Sequence, residues 1–405
     1  MLRGVQNILE TIGMVVRVFS VWIIALFLPN LFLWHGNQRM MAETGKRGQF
    51  SAGVDIISDR FLTELKSSNS EKLAIGLITN HEHYKKKTYM PLVKKGCVIK
   101  KFFVPTDGVV GVNSLGKLYY ITDKRRIKPN DFSGIDAIFF DISDWGTPYK
   151  QYATILLDAL QSAVAADKKL VVLDRPNVLG GVIEGVAQPV PVRHGMTSGE
   201  LAHYCNTHVL KTPAKLCVVP MKNYNRLLEP RNDKASANTM HVDAWYGKTV
   251  LQLLADIEPF DLAQETEQAY QCILLPESIP IAQRTWDALD EKLKALGLQT
   301  RSYRYYNTTK KQWYSGLHLF IPELNTVSCY KTALVVLTHF QDAGVSFTVP
   351  DSYTLSVDRS TIYSFLQGNV SRASVETMIN EGTHCFFKKA FTCFIYKPLP
   401  KMVSA

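Results

Sequence analysis

The chain has 405 residues, 46% of them hydrophobic and 20% charged, with a formal net charge of +10 at pH 7. That length exceeds one ordinary core, so two domains are expected, and the composition is that of a folded globular protein rather than a disordered one. The lysine and arginine excess comes without a zinc-finger, helix-turn-helix or RNP pattern, which argues against nucleic acid as a partner.

From Val18 to Leu28 the chain is apolar apart from Ser20, and apolar character resumes at Leu31–Trp34, with Arg3 and Arg17 in front. This pattern predicts an uncleaved signal-anchor, a membrane attachment that leaves the rest extracytoplasmic, in the periplasm or at the cell surface; the alternative is a buried N-terminal helix. Arg39–Ser51 reads as a linker, so residues 1–50 are set apart from the folded part. Val54–Leu65 has the spacing of an amphipathic helix. Leu73–Thr79 is an apolar run fit for a buried strand and leads into Asn80. His81 and His83 form an H-x-H pair without a third ligand and read as surface residues, not as a metal site. Tyr89–Lys95 is a short helix stopped by Gly96, and Cys97–Val104 a second strand that ends in Pro105-Thr106-Asp107-Gly108. The glycines of 108–116 lack the dinucleotide spacing, so no nicotinamide or flavin cofactor is expected. Lysines cluster before Pro129, either as a solvated face or as an attraction to an anionic polymer or membrane surface.

Ile135–Phe140 is a third strand, followed by Asp141 and Asp144, and Tyr152–Ala166 a helix. Lys169–Leu173 is a fourth strand; behind it stand Asp174-Arg175-Pro176, the pair Gly180-Gly181, then Arg193-His194-Gly195. Thr197 and Glu200 make the T-x-x-E of a capping box at a helix start. Lys215–Pro220 is a fifth strand. Strands alternating with helices imply a mostly parallel sheet, whose strand C-termini lie on one edge. Asn80, Asp107, Asp141 with Asp144, and Asp174 with Arg175 should therefore gather at one hollow there. After a polar connection at Leu227–His241, the pattern suggests an α+β domain over 241–405, following an α/β domain over 51–240. Its helices are Trp286–Leu296, Tyr330–Ala343 and Val375–Asn380; its strands are Leu317–Ile321 and a closing Phe391–Tyr396. Seven cysteines without a C-x-x-C predict buried thiols rather than a disulfide framework or a metal centre.

Several phrases resemble the exo-β-N-acetylmuramidases of the NamZ type, long catalogued as a domain of unknown function. They are Gly76-Leu77-Ile78-Thr79-Asn80, Leu173-Asp174-Arg175-Pro176-Asn177 with Leu179-Gly180-Gly181, Glu184-Gly185, and Arg193-His194-Gly195-Met196-Thr197 with Gly199-Glu200-Leu201-Ala202. The resemblance runs from about Gly53 to Asn223, with a fainter echo in the C-terminal half. It implies a Rossmann-like catalytic-type domain joined to a smaller α+β domain, with substrate in the cleft between them. The implied reaction removes terminal N-acetylmuramic acid from peptidoglycan-derived muramyl glycans, with no metal or organic cofactor. Such hydrolysis usually needs two carboxyl groups flanking the scissile bond.

Three departures touch the cleft. Thr106-Asp107 stands where the family carries its favoured catalytic Glu followed by His. Pro148 replaces an arginine, and the family's Gly-Thr-Asn-Leu-Ser-Glu-Gly-Arg-Gly phrase is absent, Asp256–Gln271 standing at about its place. Asp107 and Glu184 are then the candidate acid/base groups, Glu184 being equally readable as a turn carboxylate. Asn80, Asp141, Asp144, Asp174, Arg175, Arg193 and His194 are the candidate substrate-binding groups. Asp141 and Asp144 suit a site or a structured loop, and Asp174-Arg175 either sugar hydroxyls or each other. Arg193 and His194 precede a helix start that suits the lactyl carboxylate of muramic acid. The alternative to an enzyme is an inactive relative that binds wall glycans or a protein partner through the same cleft.

Overall fold

The computed structural model describes residues 51–66, 71–79, 88–105, 117–122, 125–142, 151–177, 179–186, 190–226, 242–355 and 357–402. The unbroken apolar runs become strands of one parallel sheet: β1 (Leu73–Thr79), β2 (Cys97–Pro105), β3 (Lys117–Ile121), β4 (Ala137–Asp141), β5 (Lys169–Leu173) and, after two short strands elsewhere, β8 (Lys215–Val219). Their order is β3-β2-β1-β4-β5-β8. From β1 the chain winds outward through β2 and β3, then returns to β4 and winds the other way. This is a doubly wound, Rossmann-like sheet, and the reversal falls between β1 and β4, where Thr79 pairs with Asp141.

Side chains alternate between two cores, as the period of a strand demands. Ile75, Leu77, Phe102, Phe139 and Val171 face one side, toward the first helices of the domain. Ile78, Phe103, Ile138, Phe140 and Val172 face the other, against the helices Gln151–Ala165 and Ser198–Tyr204. The predicted helix over Val54–Leu65 is in fact two, Gly53–Ile56 and Asp59–Glu64, because Ser58 caps the second by accepting the Phe61 N–H at 3.2 Å.

The smaller second domain has its own core and an antiparallel sheet of order β10-β11-β9, formed by β9 (Cys272–Pro276), β10 (Gln299–Asn307) and β11 (Gln312–Phe320). The helices Gln283–Ala295 and Cys329–Asp342 flank it, and the helix expected over Val375–Asn380 is the centre of a longer one, Arg372–Ala390. A third sheet joins β6 (Val182–Glu184) to β7 (Arg193–His194) and, from the far end of the sequence, to β12 (Lys401–Met402). The closing strand expected at Phe391–Tyr396 does not form. A 3-10 turn, Phe391–Cys393, extends the preceding helix, and the N–H groups of Ile395 and Tyr396 donate to the Glu200 carboxylate rather than to a neighbouring strand. Phe386, Ala390 and Cys393 pack into a core of the first domain, so the chain returns to where it began.

Candidate functional site

The reversal point between β1 and β4 is where a doubly wound sheet opens a crevice at the carboxyl ends of its strands. Asp141, the last residue of β4, is fully buried there. Arg175, just past the end of β5, grips it with two donors, Nε at 2.5 Å and Nη2 at 3.0 Å. Thr88 closes the triangle: its hydroxyl donates to the second oxygen of Asp141 and accepts from Arg175 Nη2 at 3.2 Å. A forked pair of this kind fixes geometry as well as charge. The side-chain partner of Arg175 here is thus Asp141 and not its neighbour Asp174, which accepts only the Arg175 backbone N–H, at 2.8 Å. Asp141 is spent on this pair and braces the rim.

Asp174 is the centre of a second buried cluster. Besides the Arg175 N–H its carboxylate accepts from Gly199 N at 2.7 Å, Thr197 Oγ1 at 3.0 Å and Tyr396 Oη at 2.5 Å. The approach of the Gly199 backbone depends on its lacking a side chain, since a Cβ would lie 2.8 Å from Asp174 Cγ and 2.5 Å from Val218 Cγ1. Burial pushes the Asp174 carboxyl up to about 7 in spite of the donors around it. It has no solvent exposure, and its donors hold both carboxylate oxygens. Directly beyond it the predicted capping box is present: the Thr197 N–H donates to Glu200 Oε2 at 3.0 Å, and Thr197 Oγ1 accepts from the Glu200 N–H at 3.3 Å. The other oxygen of Glu200 holds Arg226 Nη2 at 2.5 Å, and Arg226 also donates to the carbonyls of Gly195 at 2.6 Å and Pro398 at 3.0 Å.

Glu184 and Arg193, expected as cleft groups, are buried at the seam with the second domain. Glu184 accepts from Ser328 Oγ at 2.6 Å, Cys329 N at 3.1 Å and Tyr330 N at 3.2 Å. The last two are orphan backbone donors at the start of the helix Cys329–Asp342 and the first is its N-cap hydroxyl, so this carboxylate is a helix cap supplied from another domain. Arg193 lies 3.7 Å from it and donates to the carbonyls of Val327 at 2.9 Å and Leu324 at 3.1 Å. Its charge ties down the loop leading into that helix and is not presented to an anionic ligand. His194 is buried as well, its Nδ1 accepting the Met196 N–H at 3.1 Å. Asn80, Asp107 and Asp144, with Thr106 and Pro148, lie outside the described residues. The strands that lead to the first three end on the same edge of the sheet, at Thr79, Pro105 and Asp141.

The second domain carries a cavity of about 430 Å³ that the sequence reading did not single out. Asp256, Glu258, Asp261, Glu265, Asn307 and Lys310 are among its lining residues. Asp261 is held there by Tyr305 Oη at 2.6 Å and Asn307 Nδ2 at 3.0 Å. Five acidic residues within Asp256–Glu267 were the available signal. Among the described residues no group of three His, Cys, Asp or Glu side chains is placed to hold a metal ion.

Residues 75–236 match the family model of the N-terminal domain of the exo-β-N-acetylmuramidase NamZ. The chain is 30% identical, over 217 residues, to the peptidoglycan β-N-acetylmuramidase NamZ of Bacillus subtilis (strain 168). That alignment covers 46% of this chain and 51% of that protein, so the chain spans about half the length of the curated relative it matches. In three dimensions it is similar to two DUF1343 family proteins of Bacteroides fragilis NCTC 9343. One superposes with a TM-score of 0.73 at 21% identity, over 87% of this chain and 100% of the other. The second gives 0.66 at 18% identity, over 86% and 99%. At these identities the likeness is one of fold.

Proposed function

We propose that this chain, a divergent member of the NamZ family, is a peptidoglycan-directed glycoside hydrolase that releases terminal N-acetylmuramic acid from cell-wall fragments. The observation that carries the reading is the coincidence of the family-matched segment 75–236 with the strands that meet at the reversal point. In this reading the glycan lies along the carboxyl edge of the sheet, and the Asp141–Arg175–Thr88 triangle holds the rim rigid beneath it. Asp107 serves as the acid/base group, with Asp144 and Asn80 positioning the sugar. One carboxyl group protonates the leaving oxygen while a second supports the oxocarbenium-like transition state. The enzyme works outside the cytoplasm, attached through its N-terminal apolar segment.

Turnover of a chromogenic muramic acid glycoside by the full chain tests this. Asp107→Asn should lower kcat by at least a hundredfold, the scale of a lost general acid, and an unchanged rate would remove Asp107 from the mechanism. A second reading is favoured by Thr106, which stands where the resemblance places a catalytic Glu: an inactive relative that binds wall glycans through the same cleft. Binding of muramyl ligands without any turnover would decide for it.

A further inference from the structure

The last described stretch has an unusual distribution of charge. From Gly382 to Ala405 the sequence contains no Asp or Glu but four lysines: Lys388, Lys389, Lys397 and Lys401. All four are exposed, and no ion pair among the described residues engages any of them. Between Lys389 and Lys397 large apolar side chains face water: Phe391 is 52% exposed and Ile395 39%. The Phe391 ring lies 6.0 Å from that of Phe387, which is itself 5.9 Å from that of Phe394, so the aromatic residues form one cluster. Exposed aromatic and aliphatic groups set among unpaired lysines are the composition of a surface that rests on anionic headgroups, apolar tips entering the acyl boundary and ammonium groups meeting phosphates.

The choice of a membrane as occupant rests on the attachment through the N-terminal apolar segment proposed above, and the first described residue is paired to a stretch that contacts this surface. Ser51 pairs with Lys222, exchanging two backbone hydrogen bonds at 3.1 and 2.9 Å. The next residue, Met221, donates its N–H to Tyr396 Oη at 2.6 Å. Tyr396 thus ties the segment after the last long helix to the stretch on which Ser51 pairs, and Lys222 of that stretch is exposed. We propose that the face formed by the end of the helix Arg372–Ala390, the segment Phe391–Lys397 and Lys222 seats the domain directly on an anionic lipid surface.

The test uses the full chain in a Cys385→Ser background, with Ile395→Cys carrying an environment-sensitive fluorophore. The vesicles are phosphatidylcholine, with or without phosphatidylglycerol, and contain a quencher-labelled lipid. The label at 395 should be quenched strongly on vesicles containing phosphatidylglycerol and weakly on phosphatidylcholine alone, whereas one at the exposed Ser302→Cys should report little quenching on either. Each lysine near such a surface contributes about fivefold to partitioning, so Lys388→Glu with Lys389→Glu should reduce the apparent affinity at 395 by at least ~25-fold. High salt should do the same without any substitution, by screening. The proposal is overturned if 395 is quenched no more than 302, or if its quenching is indifferent to both lipid charge and salt. A spectral change at 395 that grows with protein concentration in the absence of vesicles would assign the face to a second copy, and would equally overturn it.

Discussion

Glu184→Gln separates a catalytic carboxylate from a structural one. In the wild type one oxygen of Glu184 accepts from both Ser328 Oγ and Tyr330 N, and the other from Cys329 N, with Arg193 Nη1 3.7 Å away. An amide of the same shape keeps one acceptor oxygen. Whichever way it is turned, its NH2 faces a backbone N–H of the helix start, donor against donor, and the helix and Arg193 lose their countercharge. Converting charge-assisted hydrogen bonds to neutral ones and leaving one buried N–H unmet costs about 3 kcal/mol in all. That corresponds to a fall in the unfolding midpoint on the order of 5 °C. Thermal unfolding followed by circular dichroism, alongside turnover of the muramic acid glycoside per folded molecule, gives both readouts. The expected result is a lowered midpoint with turnover within about threefold of wild type, since the side chain has no solvent exposure. An unchanged midpoint with turnover reduced by ~1000-fold, the loss typical of a removed catalytic group, would refute the structural account of Glu184.

Asp174 makes stability depend on pH. Its folded pKa, about 7, lies above that of an unfolded aspartate, so the folded state holds the extra proton, and the contribution is complete below about pH 4 and lost as pH rises through 7. Asp358, pushed up to about 6 by burial, acts in the same direction. Asp174→Asn should flatten the fall in stability between pH 5 and 8, measured by urea unfolding, because both hydroxyls facing its second oxygen are able to accept from an amide; an unaltered slope would show that another group titrates. Asp141→Asn strands the Arg175 guanidinium without its countercharge and should cost about 3–5 kcal/mol, visible in the same unfolding curves. Gly199→Ala places a methyl group against Asp174 and Val218 and should cost about 1–3 kcal/mol by overpacking, with wild-type stability counting against the tight approach.

What could be read from the sequence was local. β1, β4 and β5 announced themselves as apolar runs, and Thr197 with Glu200 announced a helix start through a spacing of three. The alternation of strands and helices implied the sheet's direction, and with it the edge on which the strand ends collect. What stayed hidden depended on partners far along the chain. Nothing around Glu184 indicates that Ser328 waits 144 residues on, and nothing around Arg175 distinguishes Asp141 from Asp174 as its mate. β10 was missed because it lacks an apolar face: Ser302, Arg304 and Tyr306 on one side are exposed, while Tyr303 and Tyr305 on the other donate their hydroxyls to Gln268 and Asp261. Cleft residues and seam residues share the same vocabulary of buried charge, so resemblance alone selected both kinds.

The return of the chain to its starting domain has a consequence for biosynthesis. When residues 51–226 have emerged from the ribosome, Asp174 still lacks its tyrosine and Arg226 its carbonyl at position 398; these partners lie 222 and 172 positions downstream. The strands of the parallel sheet can pair before then, but these two buried clusters at its carboxyl edge are completed only when translation has nearly finished. Until then Asp174 and Arg226 lack those native partners. A product clipped after Ala390 would therefore lack the tyrosine and carbonyl that complete these two buried clusters of the first domain.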